Sequence, residues 1–263
     1  MLIIGERINA SRKTISQAIS SLNEDLIKKE VRAQAVAGAD YIEVNAGTFL
    51  SEEVNVLSWL IEVVQDVTDL PLCIDSPDPK VIKSVLPLLK TPTIINSITL
   101  ETTRLEGILP LVKDYEAKVI ALCQSGDRLA ETTDAKVEMA DILVNEVTEA
   151  GISLEDLYID PLVYPLSTNS GSALAALDAI HHIMKQFPGV HTICGLSNIS
   201  HGLPNRSLIN RTFLAAAMAR GLDSAIMDPT DKQIYGTLKA AHMIVGKDDF
   251  CMQFINDFRE GKL

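Results

Sequence analysis

Short apolar runs and longer amphipathic stretches alternate along the whole chain. The runs are rich in Val, Ile and Leu and lack polar alternation, which is typical of strands covered on both faces. Eight strands are predicted, at Leu2–Gly5, Tyr41–Val44, Leu70–Ile74, Thr93–Ile95, Lys118–Leu122, Leu157–Ile159, His191–Gly195 and Ser224–Met227.

The stretches between these strands have the period of a helix, with apolar residues three and four positions apart. One such stretch contains Val54, Leu57, Ile61 and Val64. Others are predicted at Leu26–Ala37, Asp78–Leu89, Leu105–Val112, Val137–Val147, Ala173–Met184, Leu208–Ala219 and Ile234–Ile244. A last helix, Phe250–Phe258, is expected to close the bottom or the side of the fold.

Strands that alternate with helices indicate parallel βαβ units. Eight units in 263 residues predict a (β/α)₈ TIM barrel, with residues 1–263 as a single domain because no linker or repeat interrupts the pattern. The alternative is a doubly wound open sheet. Such a sheet usually has a glycine-rich phosphate turn after its first strand, whereas this chain has GERINAS there.

Charge and composition narrow the functional classes. The chain has 35 Asp and Glu against 23 Lys and Arg, a net charge of −12, and its basic residues are scattered, so a nucleic-acid partner is not expected. No apolar run reaches the roughly 18 residues of a membrane span. The start, MLIIGERINAS, lacks the pattern of a signal peptide, so a cytoplasmic location is expected.

Four widely spaced cysteines, Cys73, Cys123, Cys194 and Cys251, form no CxxC pair. Three lie in or at the end of strand-like segments, which indicates buried, reduced thiols in a reducing compartment.

Polar residues follow nearly every predicted strand, where a barrel of this kind places its active site. They are Glu6, Arg7 and Asn9, then Glu43 and Asn45, Asp75 and Ser76, Asn96 and Ser97, Gln124, Asp160, Ser197 and Asn198, and Asp228. Turn and helix-capping roles explain some of them, such as Ser76 and Ser97. A ring of carboxylates and carboxamides is better explained by a flat, uncharged heterocycle with several N–H donors.

Other site types find little support in the sequence. No metal site is predicted, because the adjacent His181 and His182 point about 100° apart on a helix. His242 is expected to be structural and His191 to lie at the surface. His201, in the loop after the seventh strand, faces either the ligand or solvent. No GxSxG motif or activated thiol indicates a nucleophile.

Several motifs together resemble one family. LIIGERIN, CIDSPD, IINSI, LYIDPL, GLSNIS and NRSLINRTFL follow successive strands from Leu2 to about Asp228. They resemble the pterin-binding methyltransferases, and more narrowly the methyltetrahydrofolate:corrinoid protein methyltransferases. That resemblance implies a TIM barrel that binds tetrahydrofolate or 5-methyltetrahydrofolate. It also implies a homodimer that exchanges a methyl group with a separate corrinoid protein, since this chain has no DxHxxG corrinoid motif.

The resemblance also implies roles for individual residues. Asp75, Asn96 and Asp160 would bind the edge of the pterin ring, and Asn198 would approach N5. Gly195, Ser197 and Arg206 match further pocket positions. Asn198, Asp160 and Asn96 are therefore the predicted catalytic residues. His201 stands where relatives often have Gln, and Glu43 where an Asp is common.

Two rival functions remain open at this stage. Dihydropteroate synthases resemble this chain but carry a Ser-Arg-Lys type motif where it has Ser197-Asn198-Ile199, and the absent lysine argues against that activity. A non-catalytic folate-binding subunit is the other rival. The full set of Asp75, Asn96, Asp160 and Asn198 argues against it.

Overall fold

Eight parallel strands form the centre of the molecule in a computed structural model, which describes residues 1–126 and 128–263, with only the backbone at 128 and 129. The strands are β1 (Leu2–Asn9), β2 (Tyr41–Asn45), β3 (Leu72–Asp75), β4 (Ile94–Ile98), β5 (Lys118–Leu122), β6 (Leu157–Asp160), β7 (His191–Thr192) and β8 (Ser224–Met227). An antiparallel hairpin, Gln124–Ser125 with Arg128–Leu129, follows β5.

The strands make a nearly closed barrel. Each strand pairs in parallel with the next along the chain from β1 to β7, and β1 also pairs with β8. Between β7 and β8 the contact is reduced to a bridge from Gly195 to Ile226, where the Ile226 amide donates to the Cys194 carbonyl at 3.0 Å. The predicted TIM barrel is confirmed, and the open doubly wound sheet is wrong because the strands follow one another in sequence order and the last strand, β8, pairs with the first.

Ten α-helices are present in the described ranges 1–126 and 128–263. They are α1 (Lys13–Ser20), α2 (Glu24–Val36), α3 (Glu53–Gln65), α4 (Pro79–Val85), α5 (Thr102–Asp114), α6 (Thr133–Glu149), α7 (Ser172–Gln186), α8 (Arg206–Arg220), α9 (Lys232–Ile244) and α10 (Met252–Arg259). The sequence analysis missed α1, which buries only Ile15, Ala18 and Ile19. Helix α10 packs on the side of the barrel, where Lys239 Nζ of α9 lies 2.9 Å from Asp257 Oδ2.

Capping residues fix where several helices start. Asn23, Asp78, Thr132 and Asp231 each accept a hydrogen bond from a backbone amide in the first turn of the following helix. Helix α8 ends at Gly221, whose φ of 114° lies in the left-handed region that glycine adopts freely.

Apolar side chains fill both sides of the strands, so the sheet is rigid where it presents polar residues. Inside the barrel, Ile4, Cys73, Ile94, Ile120, Tyr158, Ile193 and Ile226 form one cluster. Two larger clusters fill the space between strands and helices. Within the part of the chain that the structure describes, no helix has the length and apolar character that crossing a membrane requires.

Candidate active site

A cavity of about 980 Å³ opens at the carboxyl ends of the strands. Every residue predicted to bind the ligand lines it, namely Asp75, Asn96, Asp160, Gly195, Ser197, Asn198, His201 and Arg206. The barrel topology explains this convergence, since parallel strands bring their carboxyl ends to one edge. Two further carboxyl side chains, those of Glu6 and Glu43, also line the cavity.

Strand register sets one wall of the cavity. Asn45, Asp75 and Asn96 occupy the same level on β2, β3 and β4. Asn45 Nδ2 donates to Asp75 Oδ2 at 2.8 Å and so fixes the direction of that carboxyl. Burial raises the pKa of Asp75 to about 6, against the effect of the Asn45 hydrogen bond. Asp75 is therefore an acceptor whose charged form is poorly solvated in the empty cavity.

Glu43 is the most strongly perturbed carboxyl of this wall. Burial raises its pKa well above the ordinary value, and the nearby charges of Asp75 and Glu6 raise it further. The side-chain amides of Asn9 and Asn96 oppose that rise. Burial also raises the pKa of Glu6, whose Oε2 accepts a hydrogen bond from Ser197 Oγ at 3.2 Å. Because a protonated carboxyl donates as well as accepts a hydrogen bond, the rise in the pKa of Glu43 favours a donor at this point of the cavity.

Asp160 stands on the opposite wall, at the end of β6. It is 6% exposed, and its Oδ1 accepts the Leu162 amide at 2.7 Å. Burial raises the pKa of Asp160 to about 6, while the Leu162 amide and the charge of Lys136 lower it. A hydrogen bond from the Gly195 backbone lowers the same pKa, so the turn after β7 also contacts this carboxyl.

The turn after β7 places Asn198 beside Gly195. The turn is a 3₁₀ helix, Leu196–Ser200, in which the Asn198 amide donates to the Gly195 carbonyl at 3.1 Å. A Cβ atom at Gly195 would lie 3.1 Å from Asn198 Nδ2, so glycine leaves room for this side chain. Arg206 secures the turn, because its Nε donates to Ser200 Oγ at 3.0 Å and its Nη2 to the Ser197 carbonyl at 2.8 Å.

Glu6, Glu43, Asp75 and Asp160 form a group that we call the carboxyl cluster. In the described ranges, none of its members has an ion pair within 4 Å, although Arg12, Arg104 and Arg206 also line the cavity. Arg104 donates from Nη2 to the Ser76 carbonyl at 3.2 Å, and burial lowers its pKa. The site therefore has buried acceptors that lack a cationic partner in the described ranges, which suits a neutral ligand rich in N–H donors.

Some strand-end residues have structural roles instead. Arg7 pairs with Glu30 and, at 2.6 Å, with Asp228 Oδ2. Ser76 Oγ donates to the buried Glu53 Oε1 at 2.7 Å. Asn45 and Gln124 do not line the cavity. The expectation that polar strand-end residues bind ligand is therefore too broad for Arg7, Asn45 and Gln124, whereas a structural role was already expected for Ser76.

The expected burial of the three strand cysteines is confirmed, while the histidines occupy different environments. His201 lies at the cavity wall, the ligand-facing one of the two alternatives that the sequence left open, and its part in binding stays a prediction. His242 lies in α9 with a buried Nε2 that has no partner among the described residues. His191 is only partly exposed, because its Nδ1 contacts Asp223 Oδ2 at 2.6 Å. Cys73, Cys123 and Cys194 are buried free thiols, and Cys251 is half-buried.

Several cavity residues were not predicted from the sequence. They lie two to eighteen residues beyond the strand ends, on loops or in the first two turns of helices, and are Arg12, Arg104, Leu162, Asn210 and Asp231. Asp231 is also the capping residue of α9, and that capping pattern was the only signal in the sequence. No group of three or more His, Cys, Asp or Glu side chains with metal-binding geometry occurs in the described part of the chain.

Comparison with known proteins assigns the family. Residues 5–228 match the pterin binding enzyme family, and the chain belongs to that family. The chain is also 38% identical, over 100% of its own length and 98% of the relative's, to the methylcorrinoid:tetrahydrofolate methyltransferase of Eubacterium limosum. It is 30% identical to methionine synthase of Mycobacterium leprae, matching 86% of this chain but 20% of that longer protein.

Solved structures show the same fold. A dihydropteroate synthase from Coxiella burnetii, in complex with pteroic acid, superposes with a TM-score of 0.71. That match covers 93% of each chain at 15% sequence identity, so it supports the barrel architecture alone.

Proposed function

We propose that this protein is a methyltransferase that moves a methyl group between a reduced folate and the corrinoid of a separate protein. One observation carries the proposal: the carboxyl cluster and Asn198 face one cavity from different strands. The full-length relative from Eubacterium limosum is named for this reaction. Residues 5–228 match the family, and the cavity residues that are assigned roles below all lie within this range.

Asp75, Asn96 and Asp160 bind the pterin ring in this proposal. A reduced pterin presents N–H and amino groups on both of its rings, so two buried carboxylates on opposite walls can each accept some of those bonds. Asn96 completes the edge as a carboxamide, which both donates and accepts. Gly195, Ser197, His201 and Arg206 form the remaining contact surface.

Asn198 acts at N5 of the folate. When a methylcorrinoid is the donor, the lone pair of N5 forms the new N–C bond, the Co–C electron pair stays on cobalt, and N5 loses its proton. In the reverse direction N5 must regain positive character before it can leave. A carboxamide that turns toward N5 stabilises either change, and Asp160 and Asn96 hold the network around it.

The domain organisation, cellular location, oligomeric state and partner are also part of the proposal. We expect residues 1–263 to act as a single barrel domain, in the cytoplasm, as a homodimer. The corrinoid is brought by its own protein, since the methyl group must reach N5 through the open mouth of the cavity. Tetrahydrofolate or 5-methyltetrahydrofolate is the substrate held by this chain.

A single spectroscopic experiment tests the reaction. The protein is mixed with methylcobalamin and tetrahydrofolate, and separately with cob(I)alamin and 5-methyltetrahydrofolate, with corrinoid absorption and folate products followed together. We expect methyl exchange above the uncatalysed rate in at least one mixture. The same assay with the corrinoid protein of the organism decides the case in which free cobalamin reacts poorly, and no exchange with either form contradicts the proposal.

Dihydropteroate synthase activity is the rival to exclude in parallel. The turn after β7 offers Asn198, a neutral amide, rather than a lysine that could pair with a diphosphate. Condensation of a pterin diphosphate with p-aminobenzoate should therefore be undetectable. Formation of dihydropteroate would support the rival instead.

A further inference from the structure

A lysine is completely buried behind the wall of the cavity. Lys136, in the first turn of α6, has a relative exposure of 0%. Its Nζ donates to the Pro161 carbonyl at 2.6 Å and to the Leu162 carbonyl at 2.8 Å. The same nitrogen lies 4.8 Å from the centre of the Tyr164 ring. It has no carboxylate within ion-pair distance among the described residues, which is unusual for a buried cation.

The turn that Lys136 contacts is the turn that holds Asp160. Leu162 has a φ of 59°, a left-handed conformation that is costly for a residue other than glycine. In that conformation its amide donates to Asp160 Oδ1, while its carbonyl faces Lys136. Leu162 also lines the cavity. One ammonium group therefore secures a strained backbone whose amide fixes the cavity carboxylate.

We propose that Lys136 is a positioning residue, which clamps the turn after β6 and holds Asp160 ionised and correctly oriented for a donor-rich ligand. The role of Asp160 in ligand binding rests on the proposed function. The clamp and the charge effect can be measured without any ligand.

Two features support a charged rather than a purely packing role. A cation is stabilised by two carbonyl oxygens and by the face of an aromatic ring, which together replace part of its lost hydration. The charge of Lys136 also lowers the pKa of Asp160, against the dominant effect of burial. Burial lowers the pKa of Lys136 itself, and the neighbouring groups Cys123, Asp160 and Glu131 oppose that shift.

The other titratable groups around Asp160 do not provide this effect. Cys123, Cys194 and Tyr164 face it from the neighbouring segments, and burial raises the pKa of each of them. They consequently stay neutral at physiological pH and leave Lys136 as the nearby positive charge in the described residues.

The test is a carboxyl NMR titration of ligand-free protein labelled with ¹³Cγ-aspartate. Asp160 is assigned from the signal that disappears in Asp160→Asn. We expect its titration midpoint to rise by about one pH unit in Lys136→Met and to stay unchanged in Lys136→Arg. An unchanged midpoint in Lys136→Met overturns the proposal.

Lys118 provides a matched control. It also lies over a tyrosine ring, 5.6 Å from the centre of Tyr158, and also approaches a backbone carbonyl, that of Glu155 at 3.4 Å. Lys118 is the first residue of β5 and therefore lies at the opposite end of the barrel from Asp160. Lys118→Met should leave the Asp160 midpoint unchanged. An equal shift in this control would show a general effect of lost charge and overturn the specific role.

Folate binding gives a second readout. Tetrahydrofolate affinity in Lys136→Met should fall at least about fivefold more at pH 6 than at pH 8, because Asp160 is then protonated over a wider range. An equal loss at both pH values would indicate a packing role alone. If wild-type protein does not bind tetrahydrofolate, the proposed function fails, while the NMR titration still decides the role of Lys136.

A folding defect does not block the test. If Lys136→Met fails to fold, the double variant Lys136→Met/Leu162→Gly replaces it, because glycine adopts the left-handed conformation without a clamp. The double variant should fold and should still show the raised Asp160 midpoint. A normal midpoint in this variant contradicts the proposal as clearly as it would in the single one.

Discussion

Carboxyl groups at the two ends of the barrel differ in their partners: Asp156 and Asp223 at the amino end contact basic side chains, whereas no member of the carboxyl cluster has an ion pair within 4 Å in the described ranges. At the amino ends of the strands, Lys118 Nζ lies 3.1 Å from Asp156 Oδ1, and His191 Nδ1 lies 2.6 Å from Asp223 Oδ2. The His191 ring also stacks on a tyrosine, with ring centres 4.8 Å apart. At the carboxyl ends, the carboxyl cluster has only neutral hydrogen-bond partners within reach in the described ranges.

This difference separates stability from function. Paired charges with backbone hydrogen bonds stabilise the folded chain at the amino end. Buried carboxylates without cations destabilise the ligand-free chain at the mouth, because desolvation of a charge is not offset. A ligand that donates hydrogen bonds offsets that cost, so the same groups that weaken the empty protein favour the complex.

The largest expected effect concerns Asn198, which acts on the reaction rather than on binding. Asn198→Ala should lower the single-turnover rate of methyl transfer on the order of 10²-fold, because a donor that stabilises developing charge is lost. Tetrahydrofolate affinity should change little. Asn55→Ala, at an exposed site on α3, is the matched control and should react at the wild-type rate. A wild-type rate in Asn198→Ala would remove that residue from the mechanism.

Asp75→Asn should produce effects of opposite sign on binding and on stability. The binding free energy of folate should become less favourable by about 1–3 kcal/mol, since ring donors lose a charged acceptor. The ligand-free protein should become more stable at pH 7, because a buried and uncompensated charge is gone. Calorimetric titration and thermal unfolding measure the two effects. A variant that loses both affinity and stability would assign Asp75 a mainly structural role.

Asp223 supplies the contrasting case at the amino end. Its carboxylate accepts from the Thr192 amide at 3.0 Å as well as contacting His191. Asp223→Ala should lower the free energy of unfolding by about 1–2 kcal/mol, because these bonds are lost at a partly buried site. Chemical denaturation measures the loss. Methyl transfer per folded molecule should remain at the wild-type level, and a selective loss of activity would contradict the separation of the two ends.

The smallest effect concerns pH. The folded pKa values of Asp75 and Asp160, about 6, lie above their ordinary value of 3.8, so the folded state binds more protons than the unfolded state in this range. Their destabilising contribution is complete above about pH 6 and disappears as the pH falls toward 4. Lowering the pH from 7 to 5 should thus raise the contribution of each group to the free energy of unfolding by about 1 kcal/mol. This gain partly offsets the destabilisation that acid causes at other groups. Asp160→Asn should flatten this dependence in urea unfolding curves, and an unchanged slope would argue against the raised pKa.

The periodic parts of the fold were predictable, and the irregular parts were not. The eight apolar runs predicted the strands because each is buried on both faces, although β1 extends through Asn9 and β7 has only two residues. The eight residues of α1 are too few for a clear helical period. The hairpin after β5 left no apolar pattern at all.

The residues of the site were likewise predictable at the strand ends and not predictable on the helices. Asp75 and Asp160 are the last residues of their strands and Asn96 lies in the adjacent β4, so topology alone brings them to the mouth. Arg104 and Lys136 reach the site from helices, and their roles depend on side-chain direction and on the left-handed turn at Leu162. Neither is visible in the order of residue types along the chain.

Proton exchange on ligand binding tests the central claim most directly, that the carboxyl cluster is completed by N–H donors of a reduced folate. Titration calorimetry of tetrahydrofolate at pH 6, in buffers of different ionisation enthalpy, measures the protons released per ligand bound. We predict net release, because Asp75 and Asp160 titrate near pH 6 in the empty cavity and become ionised acceptors in the complex. The release should shrink in Asp75→Asn and Asp160→Asn. Tight binding with no release, or with proton uptake, would contradict this account of the site.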